Sequence, residues 1–420
     1  MKNIFKKFVA TFIIFVLSGG YSLAALSNAD LGGVNNGATV DNAAINKMTI
    51  NLNNGGQTNL NWNKLNVNSN ETLNFNFLQN GSTAYNSISG GVSTIAGKIN
   101  AIGNGAETSN IILSNPSGVT FVNGSVVNVG AMSVYSRDGS INIDGSKFTT
   151  QGDLNLTVDA NNGKVEIKNI NTNNFVIGKD FFITMNGSPA TVNIQNASIK
   201  CPNGSFYIST NALAQGYMNV TSSAINTKDG TKIDNISTLT LKNLTSDLSL
   251  KDSKINSIKF TENGGKKALN INNSNIGSIS KNENKLKLEN TNVLGQIILN
   301  NCSLNANSLD KTHSINQIYS KNALDIDGYN IAKIEATAGE LSLKNAKVTD
   351  LSAKTGANLR LENSEVVNQA FLKVKNLFMN NNAGTLNLKN DSYVAGGISS
   401  TNTNIQANKL KVNNNLDMRG

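Results

Sequence analysis

Apolar and polar residues alternate along most of this chain. Between residues 62 and 77 the apolar set is Trp62, Leu65, Val67, Leu73, Phe75 and Phe77, separated mostly by Asn, Lys and Ser. A period of two places alternate side chains on opposite faces of a strand. The run Ile111, Ile112, Leu113 stops at Asn115-Pro116-Ser117-Gly118, and alternation resumes at Val119 and Phe121. This predicts two strands joined by a tight turn, in which Pro116 presets φ and Gly118 tolerates positive φ. No apolar series holds a period of 3.6, and Asn, Gly and β-branched residues dominate, so long helices are not expected.

From residue 136 onward the chain is repetitive. The recurring pattern is apolar, x, apolar, x, Asn, small, x, apolar. It runs through Val192, Ile194, Asn196, Ala197 and Ile199, then Leu248, Leu250, Asp252, Ser253 and Ile255. Further copies begin at Leu269, Leu286, Ile297, Leu324, Leu341, Leu359 and Leu386. From Leu248 the copies are separated by 21, 17, 11, 27, 17, 18 and 27 residues. Intervals of about 17–21 suit one coil of a parallel β-helix. The uneven 11 and 27 predict copies on different faces of their coils, or loops of varying length.

Stacked coils would merge the inward Leu, Ile and Val side chains into one continuous core. The Asn then falls at a corner just after the strand. There it can adopt the left-handed backbone of a sharp turn, and it can hydrogen-bond along the stack as a ladder. At about 20–25 residues per coil and about 4.8 Å rise, the chain would form some 16–20 coils, a rod of the order of 80–95 Å. Residues 25–60, rich in Asn and Gly, are expected to cap the exposed end of the sheet, because an open edge invites unwanted pairing.

Residues 62–130 carry a more specific signal. Trp62-x-x-Leu65-x-Val67-x-x-x-Glu71-x-Leu73-x-Phe75 is followed by Gly97-Lys98-Ile99, by Asn115-Pro116-Ser117-Gly118-Val119-x-Phe121, and by Val127-Asn128-Val129-Gly130. In this order and spacing the series resembles the secretion domain of filamentous haemagglutinin-type two-partner-secretion exoproteins. In that family the turn usually reads Asn-Pro-Asn-Gly; Ser117 departs from it here, and Gly103-Asn104-Gly105-Ala106 suggests a small insertion. The resemblance covers roughly residues 25–240 and is one of architecture beyond. It implies an all-β, right-handed parallel β-helix, a single-stranded solenoid with an N-terminal cap. It also implies Sec export, then passage through a dedicated outer-membrane β-barrel transporter that recognises residues 25–240. Residues 241–420 would continue the repeats. The turn Asn115, Pro116, Ser117, Gly118 and Val119 is the foremost candidate, for recognition or for nucleating the first coils. Trp62, Glu71, Phe75, Gly97, Asn128 and Gly130 complete the motif set.

Residues 1–24 read as a secretory signal peptide. Lys2, Lys6 and Lys7 precede the apolar stretch Phe8–Leu17, and small residues at Ser22 and Ala24 place cleavage between Ala24 and Ala25. The apolar run is shorter than the ~20 residues of a membrane span. Losing this segment lowers the formal charge from +9 to about +6 by the same residue counting. Arginine occurs only at Arg137, Arg360 and Arg419, and no basic run interleaves with aromatics, so nucleic acid is a poor partner. Two cysteines, Cys201 and Cys302, exclude a disulfide-rich scaffold. Cys302 stands where other copies hold Ser, Thr or Ala and reads as a small residue. A bridge between the two stays open.

Right-handed β-helices also include polysaccharide lyases and hydrolases, which need clustered carboxylates for acid–base work or Ca²⁺. Asp325 and Asp327 are the best pair, on one side of a predicted strand, but read as solvated residues; Asp229 and Asp234 are isolated. His313 is the sole histidine and reads as a surface residue. No metal-ligand spacing or phosphate loop is present, so no metal, cofactor or catalytic residue is expected. Alternation persists through Leu386, Leu388, Ile405, Leu410 and Val412, leaving no room for a catalytic C-terminal domain of the kind larger relatives carry. An autotransporter is equally disfavoured, because barrel strands ending in an aromatic residue are missing. The function expected is that of a secreted or surface-exposed adhesin of a Gram-negative bacterium, its ligand an unidentified host or bacterial surface, carbohydrate among the possibilities. The alternatives are a secreted carbohydrate-active enzyme and a truncated exoprotein remnant.

Overall fold

The computed structural model describes residues 26–27, 29–35, 37–210, 216–261, 267–407 and 409–419. The signal segment and its Ala24–Ala25 junction lie outside them. The described chain is all-β, with parallel strands stacked as a solenoid of about 17 turns. At about 4.8 Å per turn that is a rod of roughly 80 Å.

The first strands explain the cap. β1 (Ala29–Val34) lies antiparallel to β4 (Gln57–Leu65), and β2 (Thr39–Asp41) lies antiparallel to β3 (Lys47–Leu52). β3 and β4 are themselves the first rungs of the stack, because they pair in parallel with β5 (Thr72–Phe77) and β6 (Thr83–Ile88). The antiparallel β1 and β2 therefore cover an edge that would otherwise be open. β7 (Ser93–Ile95) completes the coil. β8 (Lys98–Ile102), β9 (Asn110–Ser114) and β10 (Gly118–Phe121) form the next one, each on its counterpart. The Gly103–Ala106 stretch leads into a 3-10 turn at Ala106–Thr108.

Most strands bury one side. In Asn110–Ser114 and Gly118–Phe121, Ile111, Leu113, Val119 and Phe121 are fully buried, whereas Ile112 and Thr120 between them are not. An aromatic file runs through the core along Phe121, Phe148, Phe175, Phe181 and Phe206, with successive ring centroids 4.7–5.5 Å apart. Such contacts add to burial through edge and offset-stacked ring geometry.

Beyond residue 248 the coils shorten. One inward column runs Leu248, Leu269, Leu286, Leu304, Leu324, Leu341, Leu359, Leu377 and Ile398, in steps of 17–21 residues, and Leu416 continues its register in exposed form. The Ile297 copy belongs to another face, where Ile297 pairs with Ile279 and Ile318. The Leu386 copy joins that same file, since Leu388 pairs with Ala370. The irregular spacings of 11 and 27 thus come from counting two faces as one.

The corner asparagines do what their chemistry suggests. Asp252, Asn273, Asn290, Asn345, Asn363, Asn381 and Asn402 all have φ between 45° and 50°, and Gly328 replaces Asn at 76°. Asn363 donates to Asn345 at 2.6 Å, Asn345 to Asp327 at 2.7 Å, and Asn402 to Asn381 at 2.9 Å. The ladder is broken at Asn290, whose side-chain oxygen instead accepts from the Leu309 amide. After most of these corners the next residue (Ser253, Ser274, Thr291, Ala346 or Ser364) is small and buried, and it stitches adjacent coils. The Ser253 amide donates to Ser274 Oγ at 2.9 Å, and the Ala346 amide to Ser364 Oγ at 3.1 Å. Tyr329 fills one such position, its hydroxyl accepting from the Thr291 amide.

One lysine leaves the surface. Lys281 is fully buried, donates to the Lys267 carbonyl at 2.9 Å and lies 4.3 Å from the Phe260 ring centre. Burial pushes its pKa down. Cys201 and Cys302 are both free and buried, with thiols pushed up by desolvation to about 12 and about 11.

Candidate functional site

Asn115 sits at a corner between β9 and β10, and its side chain is fully buried. Its amide donates to the Gly91 carbonyl at 3.0 Å and to Ser93 Oγ at 2.9 Å, both in the coil below. Its side-chain oxygen accepts from the Ser117 amide at 2.9 Å, which closes the turn. The coil above is tied in as well. The Asp138 amide and the Ser136 hydroxyl both donate to the Pro116 carbonyl. Gly118 has φ of 108°, and a Cβ there would lie 2.5 Å from the Ser140 carbonyl. Only glycine fits this corner. Val119 is buried between Ser93 and Ile141 of the neighbouring coils. The turn is a three-coil stitch, with Pro116 and Ser117 as its partly exposed members.

The other motif residues do not gather around this turn. Trp62 is buried and donates through Nε1 to Asn86 Oδ1 at 2.9 Å. Asn86, fully buried, donates in turn to the Ala84 and Ile112 carbonyls. Phe75 is core. Gly97 and Gly130 occupy tight corners, where a Cβ would lie 2.2 Å from the Asn68 and Glu71 carbonyls and 2.4 Å from the Ala106 carbonyl. Asn128 faces solvent in the strand Val126–Val129.

Glu71 does something the motif alone does not reveal. It is a buried carboxylate that accepts from the Ser27 amide at 2.6 Å, the Ser27 hydroxyl at 2.7 Å and the Asn68 amide at 2.7 Å. Desolvation pushes its pKa up, but the hydrogen bonds from Asn68 and Ser27 outweigh it and hold the group below the ordinary glutamate value. Glu71 therefore pins the segment leading into β1, where Leu26 is also buried. A depressed folded-state pKa contributes stability above the unfolded value and loses it as pH falls through the folded value. Glu71→Gln is expected to weaken the cap by about 2–3 kcal/mol at neutral pH, since charge-assisted bonds are lost. The difference should close below the usual glutamate range. Amide exchange at Ser27 and Leu31, followed against pH, measures it; equal protection in both proteins at pH 7 would refute the latch.

The carboxylates considered for catalysis are otherwise engaged. Asp325 accepts from Asn305 at 3.2 Å and Asp327 from Asn345 at 2.7 Å. His313 is more enclosed than a surface residue, because it lies in a loop with Ser308 and Asp310. Its Nδ1 is 3.1 Å from Ser308 Oγ and 2.9 Å from Asp310 Oδ1. Both contacts fall on one ring nitrogen, so the imidazole does not relay between serine and carboxylate as a catalytic triad requires. Asp310, held down to about 2 chiefly by hydrogen bonds from Thr312, organises the loop. Among the described residues no group of three His, Cys, Asp or Glu side chains is placed to hold a metal, and no helix is long and apolar enough to cross a membrane.

No family model matches this chain. No curated protein matches it either. Among solved structures, the HMW1 secretion domain from Haemophilus influenzae aligns with 92% of this chain and 100% of its own, at 13% identity and a TM-score of 0.26. A likeness this slight settles neither fold nor function, and the solenoid stands on the strand pairing itself.

Proposed function

We propose that this chain is a filamentous haemagglutinin-like exoprotein: an adhesive rod exported through the periplasm by a dedicated outer-membrane β-barrel transporter and acting outside a Gram-negative cell. The observation that carries the reading is the ordered motif series of residues 62–130, which falls in consecutive coils directly beneath a cap. A cap-first solenoid suits a chain that emerges N-terminus first, because each new coil adds its apolar column to the one already formed. Burial outside then disfavours sliding back. The scarcity of disulfides fits a chain that crosses a membrane unfolded. A non-catalytic role is favoured over a carbohydrate-active enzyme by the engagement of the outward Asp325 and Asp327 in side-chain ladders.

Secretion with and without the candidate transporter tests the proposal. The protein is expected in the medium or on the surface only when the transporter is present. Equal export without it would reduce the chain to a β-helix scaffold and bring enzymatic assays on polysaccharides to the front.

A further inference from the structure

No single stretch of the sequence interleaves lysines with aromatics, but stacking assembles such a surface on one side of the distal rod. Inward residues Ser320, Ala336, Ala353 and Leu372 follow one another in register, and Lys373 pairs with Tyr393, which pairs with Lys411. The residue after each inward one faces outward. Lys321, Thr337, Lys354, Lys373, Tyr393 and Lys411 therefore form a line of roughly 24 Å at about 4.8 Å per rung. One row over, Phe371 lies beside Ser352 and beside Lys389, because Ala370 pairs with Leu388. The rings hold the ammonium groups in place. Lys354 and Lys373 Nζ lie 5.1 and 5.5 Å from the Phe371 ring centre, and Lys411 Nζ lies 5.7 Å from that of Tyr393.

The carboxylates on this side are matched elsewhere. Glu335 is paired with Lys333, and Asp350 lies beside the same lysine on the next rung. Asp391 precedes Ser392, which pairs with Leu410, so Lys409 stands beside it. Lys321, Lys354, Lys373, Lys389 and Lys411 are exposed, and none of them is paired with a carboxylate among the described residues. Like charges on adjacent rungs, as at Lys354 and Lys373, cost stability in a sheet, and an external anion removes that cost.

We propose that this side of the distal rod docks on a bilayer surface of anionic phospholipid. Ammonium groups meet headgroup phosphates. The half-buried Phe371 and Tyr393 rings lie at headgroup depth, where aromatic and amphipathic side chains are favoured. The lysines supply the attraction, which near such a surface grows with each cation added. A nucleic acid is less well served, because stacked bases need bare ring faces and here ammonium groups stand beside them. The assignment rests on the adhesive-rod reading for its setting outside the cell and gives the rod a surface to hold.

The test is co-sedimentation of the purified chain with vesicles of phosphatidylcholine alone and of phosphatidylcholine and phosphatidylglycerol in equal parts. The chain is expected to bind the anionic vesicles, more weakly at high salt, and not the neutral ones. Lys354→Gln with Lys373→Gln should lower partitioning by about tenfold or more, since each lysine near an anionic surface contributes about fivefold. Lys285→Gln with Lys287→Gln removes the same charge from the strand Asn284–Glu289 on another face, and should bind like the unsubstituted chain. All four side chains are exposed, so melting curves should not move. No binding to anionic vesicles, equal loss in the two double variants, or tighter binding to duplex DNA than to the vesicles overturns the lipid face. Any of these with transporter-dependent export leaves the secretion reading standing; vesicle binding with transporter-independent export does the reverse.

Discussion

Secretion should fail when Asn115→Ala is combined with Gly118→Val, with the protein held in the periplasm. The alanine deprives the Gly91 carbonyl, the Ser93 hydroxyl and the Ser117 amide of their buried partner. The valine must adopt φ of 108° with its Cβ 2.5 Å from the Ser140 carbonyl. Strain, steric overlap and unsatisfied polar groups together should cost about 3–6 kcal/mol, less than a simple sum because the two sites share one turn. The loss falls on three coils near the cap, where stacking begins. Two milder changes separate recognition from folding. Pro116 and Ser117 are the partly exposed members of the turn, and Ser117 Oγ makes one contact of 3.2 Å to Gly90. If Ser117→Ala or Pro116→Ala blocks export while melting is unchanged, the transporter reads the turn itself. If only the double variant blocks export, the turn serves to start the rod. Wild-type secretion of the double variant would remove the turn from the export mechanism.

A second large effect is expected in the distal rod. Leu269 and Leu286 are fully buried and directly paired in adjacent coils. Leu269→Asp with Leu286→Asp removes two core side chains, at about 2–5 kcal/mol each, before the penalty of burying charge. The two carboxylates would face each other across one rung, so each would raise the other's pKa. The coils around residues 248–307 should open at neutral pH, and limited proteolysis should cut there first. In a solenoid each coil contacts only its neighbours, so the capped N-terminal coils should keep their protection. The raised carboxyl pKa values give the opposite pH response to Glu71: the variant should recover stability as pH falls and the carboxyls protonate. If stacking outside the cell drives export, secretion yield should drop with the rod. Unchanged yield would leave export to the transporter and the N-terminal coils alone.

Much of this architecture is legible in the residues. Alternation assigns Leu269, Leu286 and Leu341 to the core, and all three are fully or almost fully buried. The Asn after each strand marks a corner, because Asn enters the left-handed region more readily than residues with bulkier side chains, and seven corner residues do so. Chain length at about 20–25 residues per coil gives 16–20 coils, and about 17 are present. One reading needs correcting: His313 reads as a surface residue, yet its ring is only partly exposed, against Ser308 and Asp310. Those partners lie three and five residues away, in a loop whose conformation the alternation of apolar and polar positions does not specify.

The sequence by itself determined the period, the inward and outward faces and the corners, because each follows from a residue's own backbone preference and polarity. The tertiary structure alone decided the phase, meaning which copy lies on which face, as with Ile297 and Leu386 against the main leucine column. It also decided which distant groups meet. Glu71 reaches Ser27 across 44 residues, Lys281 is buried against Phe260, and Lys354, Lys373, Tyr393 and Lys411 are brought into one line. Stacking register sets these contacts. Register depends on the length of every intervening corner, so no single stretch of the chain contains it.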